Sequence, residues 1–162
     1  MTAAPAARRS AEEQARLEAA LVELFERQIT FNSVLGLKVT SLAPGDVRMA
    51  FPMKPDFVGH YAYGRLHGGV ISAALDSLCG LAVMAGIAEH HPADSATQVL
   101  HRFSRIGTID LRVDYLRQGI GTQFEGSALL TRLGGRVASA QARLHNHEGT
   151  LIATATGAYI VS

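Results

Sequence analysis

Apolar and polar positions along this chain change period several times, and each change marks an element. Ser10 followed by Glu12 and Glu13 makes a helix start, after which Leu17, Leu21, Leu24, Phe25 and Gln28 recur at helical spacing. The pattern predicts an amphipathic helix over Ser10–Gln28, while Met1–Arg9 has no periodicity and reads as a frayed, disordered terminus. Leu37–Leu42 is a short segment ended by a turn at Pro44-Gly45. From Asp46 the period is two: Val47, Met49, Phe51 and Met53 alternate with Arg48, Ala50 and Pro52. Pro52 cannot donate to a ladder, so this strand is expected at an edge or at a bulge. Pro55–Leu66 reads as a loop, Val70–Ala85 as a helix apolar all round, and Ala88–Gln98 as a polar loop. Ile109, Leu111, Val113 and Tyr115 then alternate with Thr108, Asp110, Arg112 and Asp114. Phe124–Leu133 and Val137–Leu144 flank Gly134-Gly135, a two-residue hairpin signal, and Leu151–Val161 closes the chain.

One all-apolar helix beside five or more antiparallel strands predicts an α+β fold, the helix wrapped by a curved sheet, with residues 10–162 as a single domain. A small sheet cannot enclose such a helix alone, so a homodimer that continues the sheet across a two-fold axis is expected. Fifteen basic and fourteen acidic residues give a charge of +1, which leaves no global field to attract nucleic acid. The single cysteine, Cys79, rules out an intrachain disulfide and suits a reducing compartment such as the cytoplasm. No secretory signal is read at the start. The apolar run Leu66–Ala88 contains Asp76, glycines and serines, so it reads as a core helix and not as a membrane span.

Asp76 carries the chemistry. A lone carboxylate inside an apolar helix costs several kcal/mol unless it is partnered, so it either pairs structurally or serves as a base or nucleophile. His67-Gly68-Gly69 precedes the same helix, where unobstructed backbone N–H groups and a positive helix end can hold an oxyanion. Asp76 follows His67 by nine positions, so within one chain the acid stands roughly 10 Å or more from those donors. That separation favours a site completed across a dimer interface.

Leu66–Asp76, reading LHGGVISAALD, closely resembles the HGG…D motif of the PaaI-type branch of hotdog-fold thioesterases. Ser104–Arg117, Leu144-His145-Asn146 and Ile152–Thr156 are similar to the YigI subgroup, whose members hydrolyse medium- and long-chain acyl-CoA. The resemblance implies a hotdog fold and a soluble, cofactor-free thioester hydrolase working as a dimer, with room for pairing into a tetramer. It implies that Asp76 attacks the thioester or activates water, that Gly68 and Gly69 polarise its carbonyl, and that His67 helps to place the leaving sulfur. Two features depart from the pattern. Many relatives carry an asparagine ahead of the histidine, where this chain has His60, Tyr61, Ala62 and Tyr63, and a Leu-Arg-Pro-Gly strand end is here Leu116-Arg117-Gln118-Gly119. Tyr61 and Tyr63 thereby become candidate substrate contacts.

Thr108, at the start of its strand, either offers its hydroxyl to the site or is an exposed edge residue. Arg117 is a candidate for the phosphates of CoA, since arginine forks suit phosphate oxygens; Arg112 reads more simply as a surface salt-bridge partner of Asp110 or Asp114, and Arg136, at a hairpin end, fits either role. Seven histidines supply no third metal ligand at fixed spacing, so no metal site is expected. Cys79 reads as core. Two other functions stay open on sequence grounds: a hotdog-type enoyl-CoA hydratase, and a non-catalytic acyl-CoA-binding module.

Overall fold

The computed structural model describes residues 8–162. Helix α1 (Ala11–Glu23) is capped by Ser10, whose hydroxyl accepts the Glu13 N–H, and it turns Leu17 and Leu21 inward. Its last stretch, Leu24–Gln28, widens into a π-type turn that buries Phe25. A short helix α2 (Thr30–Leu35) follows, ended by Gly36 at φ 72°. Residues 1–7 of the stretch read as frayed lie outside the described residues. Arg9 is anchored: its guanidinium donates to the carbonyls of Ala88 and Asp94, which ties the start of α1 to the chain beyond the central helix.

Strands β1 (Lys38–Ala43) and β2 (Asp46–Pro52) form a hairpin. The 55–66 segment is more ordered than a loop. A single 3₁₀ turn leads into a small hairpin of β3 (Val58–His60) and β4 (Arg65–Leu66), with residues 61–64 as its turn. Helix α3 (Gly68–His90) is longer than its apolar pattern at both ends. The last three residues of the expected polar loop, 96–98, instead begin a helix, α4 (Ala96–Phe103), opened by a capping box in which Ser95 and Gln98 bond each other's backbone N–H. Strands β5 (Gly107–Tyr115), β6 (Gln123–Leu133), β7 (Val137–Asn146) and β8 (Leu151–Ile160) complete the chain.

Six strands form one antiparallel sheet in the order β1-β2-β6-β7-β8-β5. Strand β2 is therefore interior, not an edge. Pro52 is tolerated because it is the last residue of β2, beyond Ala50, where pairing with β1 stops. The β6–β7 connection covers residues 134–136, one residue longer than the two-glycine turn expected.

The sheet curls around α3, which packs on β6, β7 and β8. Leu75, Leu78, Leu81 and Val83 share one buried cluster with Phe51, Phe124, Leu144 and Ile152, each worth about 1.5–3 kcal/mol on burial. Close approach is possible because three successive inward positions of β7 are Ala138, Ala140 and Ala142. At Gly126 a Cβ would stand 2.6 Å from the Leu78 side chain. By length and composition α3 could cross a membrane, but here it is the core helix. The arrangement is the α+β wrap expected from the sequence.

Candidate active site

The start of α3 is held by its own histidine. His67 is the N-cap, and its Nδ1 accepts the Gly69 N–H at 2.8 Å. Nδ1 is therefore unprotonated and the ring proton sits on Nε2, free to donate. The His67 N–H is bound to Phe57 O at 2.8 Å, and Leu66 N–H to Gly119 O at 2.8 Å. Gly59 of β3 lies directly against His67. The two glycine amides are thus not equivalent: that of Gly69 fixes the imidazole, while that of Gly68 has no acceptor among the described residues. Tyr115 at the end of β5 crosses this point and donates to Gly68 O at 3.0 Å.

Asp76 lies on the same helix, half-buried. Its Oδ1 accepts two hydroxyls, Thr108 at 2.9 Å and Tyr159 at 2.8 Å, and its Oδ2 has no hydrogen-bond partner among the described residues. Both donors are set by strand register. Thr108 and Tyr159 face each other across β5 and β8, and just beyond them Ile109 is an extra residue, since the next pair is Asp110 with Ala158. This bulge changes the phase of β5. Leu111 and Val113 pack on the core and Tyr115 reaches α3, yet Thr108, on the opposite parity, also faces the helix, leaving Ile109 57% exposed. Tyr159 is 2% exposed, and its ring fits because position 157 is glycine, where a Cβ would stand 2.8 Å from the ring. Burial, then the charge of Asp76, pushes the Cys79 thiol up to about 12; burial likewise raises the Tyr159 hydroxyl, which stays protonated as a donor.

The expected residues thus fall into two clusters. His67, Gly68 and Arg117, joined by Arg65 and Tyr115, line an open depression of about 490 Å³ at the head of α3. Asp76, Thr108 and Tyr159 form the second. Gly68 and Asp76 are eight residues apart on one helix, about 12 Å along its axis, so the free Gly68 amide and the free Oδ2 cannot meet one carbonyl within a single chain. Tyr61 and Tyr63 lie in the β3–β4 turn, 94% and 63% exposed, the first stacked on the His60 ring and the second tilted against it.

The model of the family described as the thioesterase superfamily matches residues 63–153, a stretch that holds the whole first cluster and both Asp76 and Thr108. The chain belongs to the thioesterase superfamily. Among curated relatives, the medium/long-chain acyl-CoA thioesterase YigI of Salmonella typhimurium is 42% identical over 139 residues, 86% of this chain and 90% of that protein. YigI of Escherichia coli K12 matches with the same identity and coverage. A crystal structure of a Shewanella oneidensis protein related to the thioesterase superfamily superposes with a TM-score of 0.85 at 36% identity, covering 92% of this chain and 97% of that one.

Three residues of this thioesterase-superfamily chain were not foreseen. Tyr159 lies in a strand whose middle, residues 153–158, is alanine, threonine and glycine; the available signal was the strand's single aromatic ring, whose hydroxyl needs a partner once buried. Tyr115 belongs to the β5 alternation and to the Ser104–Arg117 resemblance, neither of which marks it as a site residue. Arg65, placed inside the expected loop, faces the same depression as Arg117. Asn32 of α2 is a further buried polar group, its Oδ1 accepting the Ser77 hydroxyl at 2.8 Å one residue beyond Asp76. Nothing in the 29–35 pattern pointed to that contact.

Proposed function

We propose that this chain hydrolyses the thioester of medium- or long-chain acyl-CoA to a free acid and CoA, with residues 10–162 acting as one catalytic domain in the cytoplasm. The observation that carries this reading is the Asp76 carboxylate, held at Oδ1 by two hydroxyls and open at Oδ2. In the proposed reaction Oδ2 takes a proton from water as it attacks the carbonyl carbon, or itself attacks and is released by water afterwards. The carbonyl oxygen becomes an oxyanion facing the Gly68 N–H and the positive end of α3; one such donor is worth about 3 kcal/mol. The Gly69 N–H keeps Nε2–H of His67 aimed outward, where it can donate to the departing sulfur. The C–S bond breaks, the electron pair leaves with CoA, and no cofactor enters the sequence.

The 12 Å separation supports a homodimer in which the α3 head of one protomer serves Asp76 of its partner. The outer edge of β5, with Ile109 and Tyr115 more than half exposed, is the natural joint, since a sheet edge carrying apolar side chains calls for a cover. Pairing of dimers into a tetramer is compatible with this joint. Arg65 and Arg117 beside the α3 head suit the CoA phosphates, and Tyr61 and Tyr63 would meet substrate from their exposed turn.

Free-thiol release from a panel of short, medium, long and aromatic acyl-CoAs tests the proposal. Turnover by the native chain, cut about a hundredfold or more in Asp76→Asn, is expected. Hydration of an enoyl-CoA without thiol release, or tight acyl-CoA binding with no turnover on any member, would overturn it.

A further inference from the structure

Asp76 has two acidic oxygens and the structure treats them differently. Oδ1 is saturated by two hydroxyls from neighbouring strands, and Oδ2 is left open. Tyr159 is buried where Thr108 is exposed, and it also differs from Thr108 in its acceptors. Its hydroxyl stands 2.8 Å from Oδ1 and also 2.9 Å from the backbone carbonyl oxygen of Asp76 itself. A phenol has one proton to donate, so two acceptors within reach compete for it. The ring that carries it is fully enclosed, seated where Gly157 has no side chain and beside Gly80. The hydroxyl can therefore turn but the ring cannot move.

We propose that Tyr159 is the positioning residue of the catalytic carboxylate, fixing the Asp76 rotamer so that Oδ2 alone faces the substrate and redirecting its proton to the Asp76 carbonyl when the carboxylate loses charge. The inference rests on the reading of Asp76 as the catalytic carboxylate. Whether Asp76 acts as base or as nucleophile, its negative charge falls during turnover, as Oδ2 gains a proton or an acyl carbon. A buried hydroxyl bound only to that carboxylate would then lose most of its charge-assisted bond. With the carbonyl 0.1 Å farther away (2.9 against 2.8 Å), the donor keeps a partner in both states. The carboxylate is thereby gripped when charged and not penalised when neutral. Thr108 grips the same oxygen from the opposite strand, and the two hydroxyls together oppose rotation about the Asp76 side chain.

Tyr159→Phe keeps the enclosed ring and removes only the hydroxyl, so the fold should survive, as a melting curve would show. The expected result in the thiol-release assay is a kcat about ten- to a hundredfold lower with KM unchanged, since the ground-state contacts of the acyl-CoA are untouched. Thr108→Val and the double variant complete the test. Because both hydroxyls act on one oxygen, the double loss should depart from the product of the single losses by about threefold or more. A kcat for Tyr159→Phe equal to that of the native chain would overturn the inference, as would losses that simply multiply. If the native chain turns over and Asp76→Asn does not, either result strikes Tyr159 alone; if the native chain releases no thiol, both this inference and the proposed function fall.

Discussion

Gly59 gives the sharpest test of how the head of α3 is built. It lies in β3, and a Cβ placed on it would stand 2.6 Å from the Cα of His67 and 3.0 Å from its Cβ. Ordinary contact begins at 3.4 Å, so in Gly59→Ala something must give by 3.4 − 2.6 = 0.8 Å. The obstacle is backbone and cannot swing aside. His67 is further tied to the same hairpin through its N–H on Phe57 O and through the Val58–Leu66 pairing. The strain therefore falls on the α3 head as a unit and displaces the His67 ring and the Gly68 N–H together. Overpacking of this kind costs about 1–3 kcal/mol. With the Gly68 N–H in its proposed role as oxyanion donor, a displacement near 1 Å lowers turnover on the order of a hundredfold.

Steady-state thiol release and thermal unfolding would be measured side by side for Gly59→Ala and for Gly135→Ala. Gly135 is the control, because a Cβ there meets nothing within 4 Å. Gly59→Ala is expected to lose kcat/KM by about two orders of magnitude while its melting temperature falls by several degrees, roughly 2–4 °C per kcal/mol. Gly135→Ala should match the native chain in both. A Gly59→Ala protein that melts lower yet keeps full activity would refute the claim that the His67 position matters to catalysis. Native activity together with native stability would refute the steric argument itself.

Cys79 should be silent toward Ellman's reagent in the native protein at pH 8: with its thiol pushed up to about 12, only about one molecule in ten thousand carries the thiolate, and labelling should begin only on denaturation. The same shift has a stability consequence, since a group whose folded value is raised above the usual thiol value of 9.0 stabilises fully below pH 9 and loses that contribution as pH climbs toward 12. Urea midpoints should therefore fall across that window, less so in Cys79→Ala; rapid native labelling at pH 8 would contradict both expectations. Ile109→Glu places like charges on the exposed edge of β5 and should shift light-scattering mass toward the monomer with a parallel loss of turnover, whereas a fully active monomer would exclude a shared site.

What the chain revealed in advance, and what it withheld, divides along a physical line. Helix α3 was legible because an uninterrupted apolar run of that length, with one acid, has few other solutions, and the strands because period two survives wherever one face is buried. Helix α4 was missed although Ser95 and Gln98 spell its capping box, because His101 and Arg102 on its outer face masked the apolar stripe of Ala96, Val99 and Phe103. The edge assignment of β2 failed for a similar reason: the rule about proline holds per residue, and Pro52 occupies the single position of that strand where no neighbour needs its N–H.

The candidate site shows the same division more sharply. Asp76 stood out because an unexplained buried acid is costly, and that cost belongs to one residue read alone. Its partners belong to pairing. Thr108 sits on the polar parity of β5 and would face outward on any count by twos; only the extra residue at Ile109 turns it toward the helix. An extra residue in a strand leaves no mark on composition, since it is defined by the strand opposite. Tyr159 was hidden likewise, its partner 83 positions away and its ring admitted by a glycine two residues earlier. The chain distance from Gly68 to Asp76, by contrast, is a helix length and could be read directly. Properties that attach to a residue or to one helix were therefore readable, whereas those that attach to the register between strands were not. It follows that the hydroxyls holding Oδ1 are where a close relative could alter the site without altering its motif.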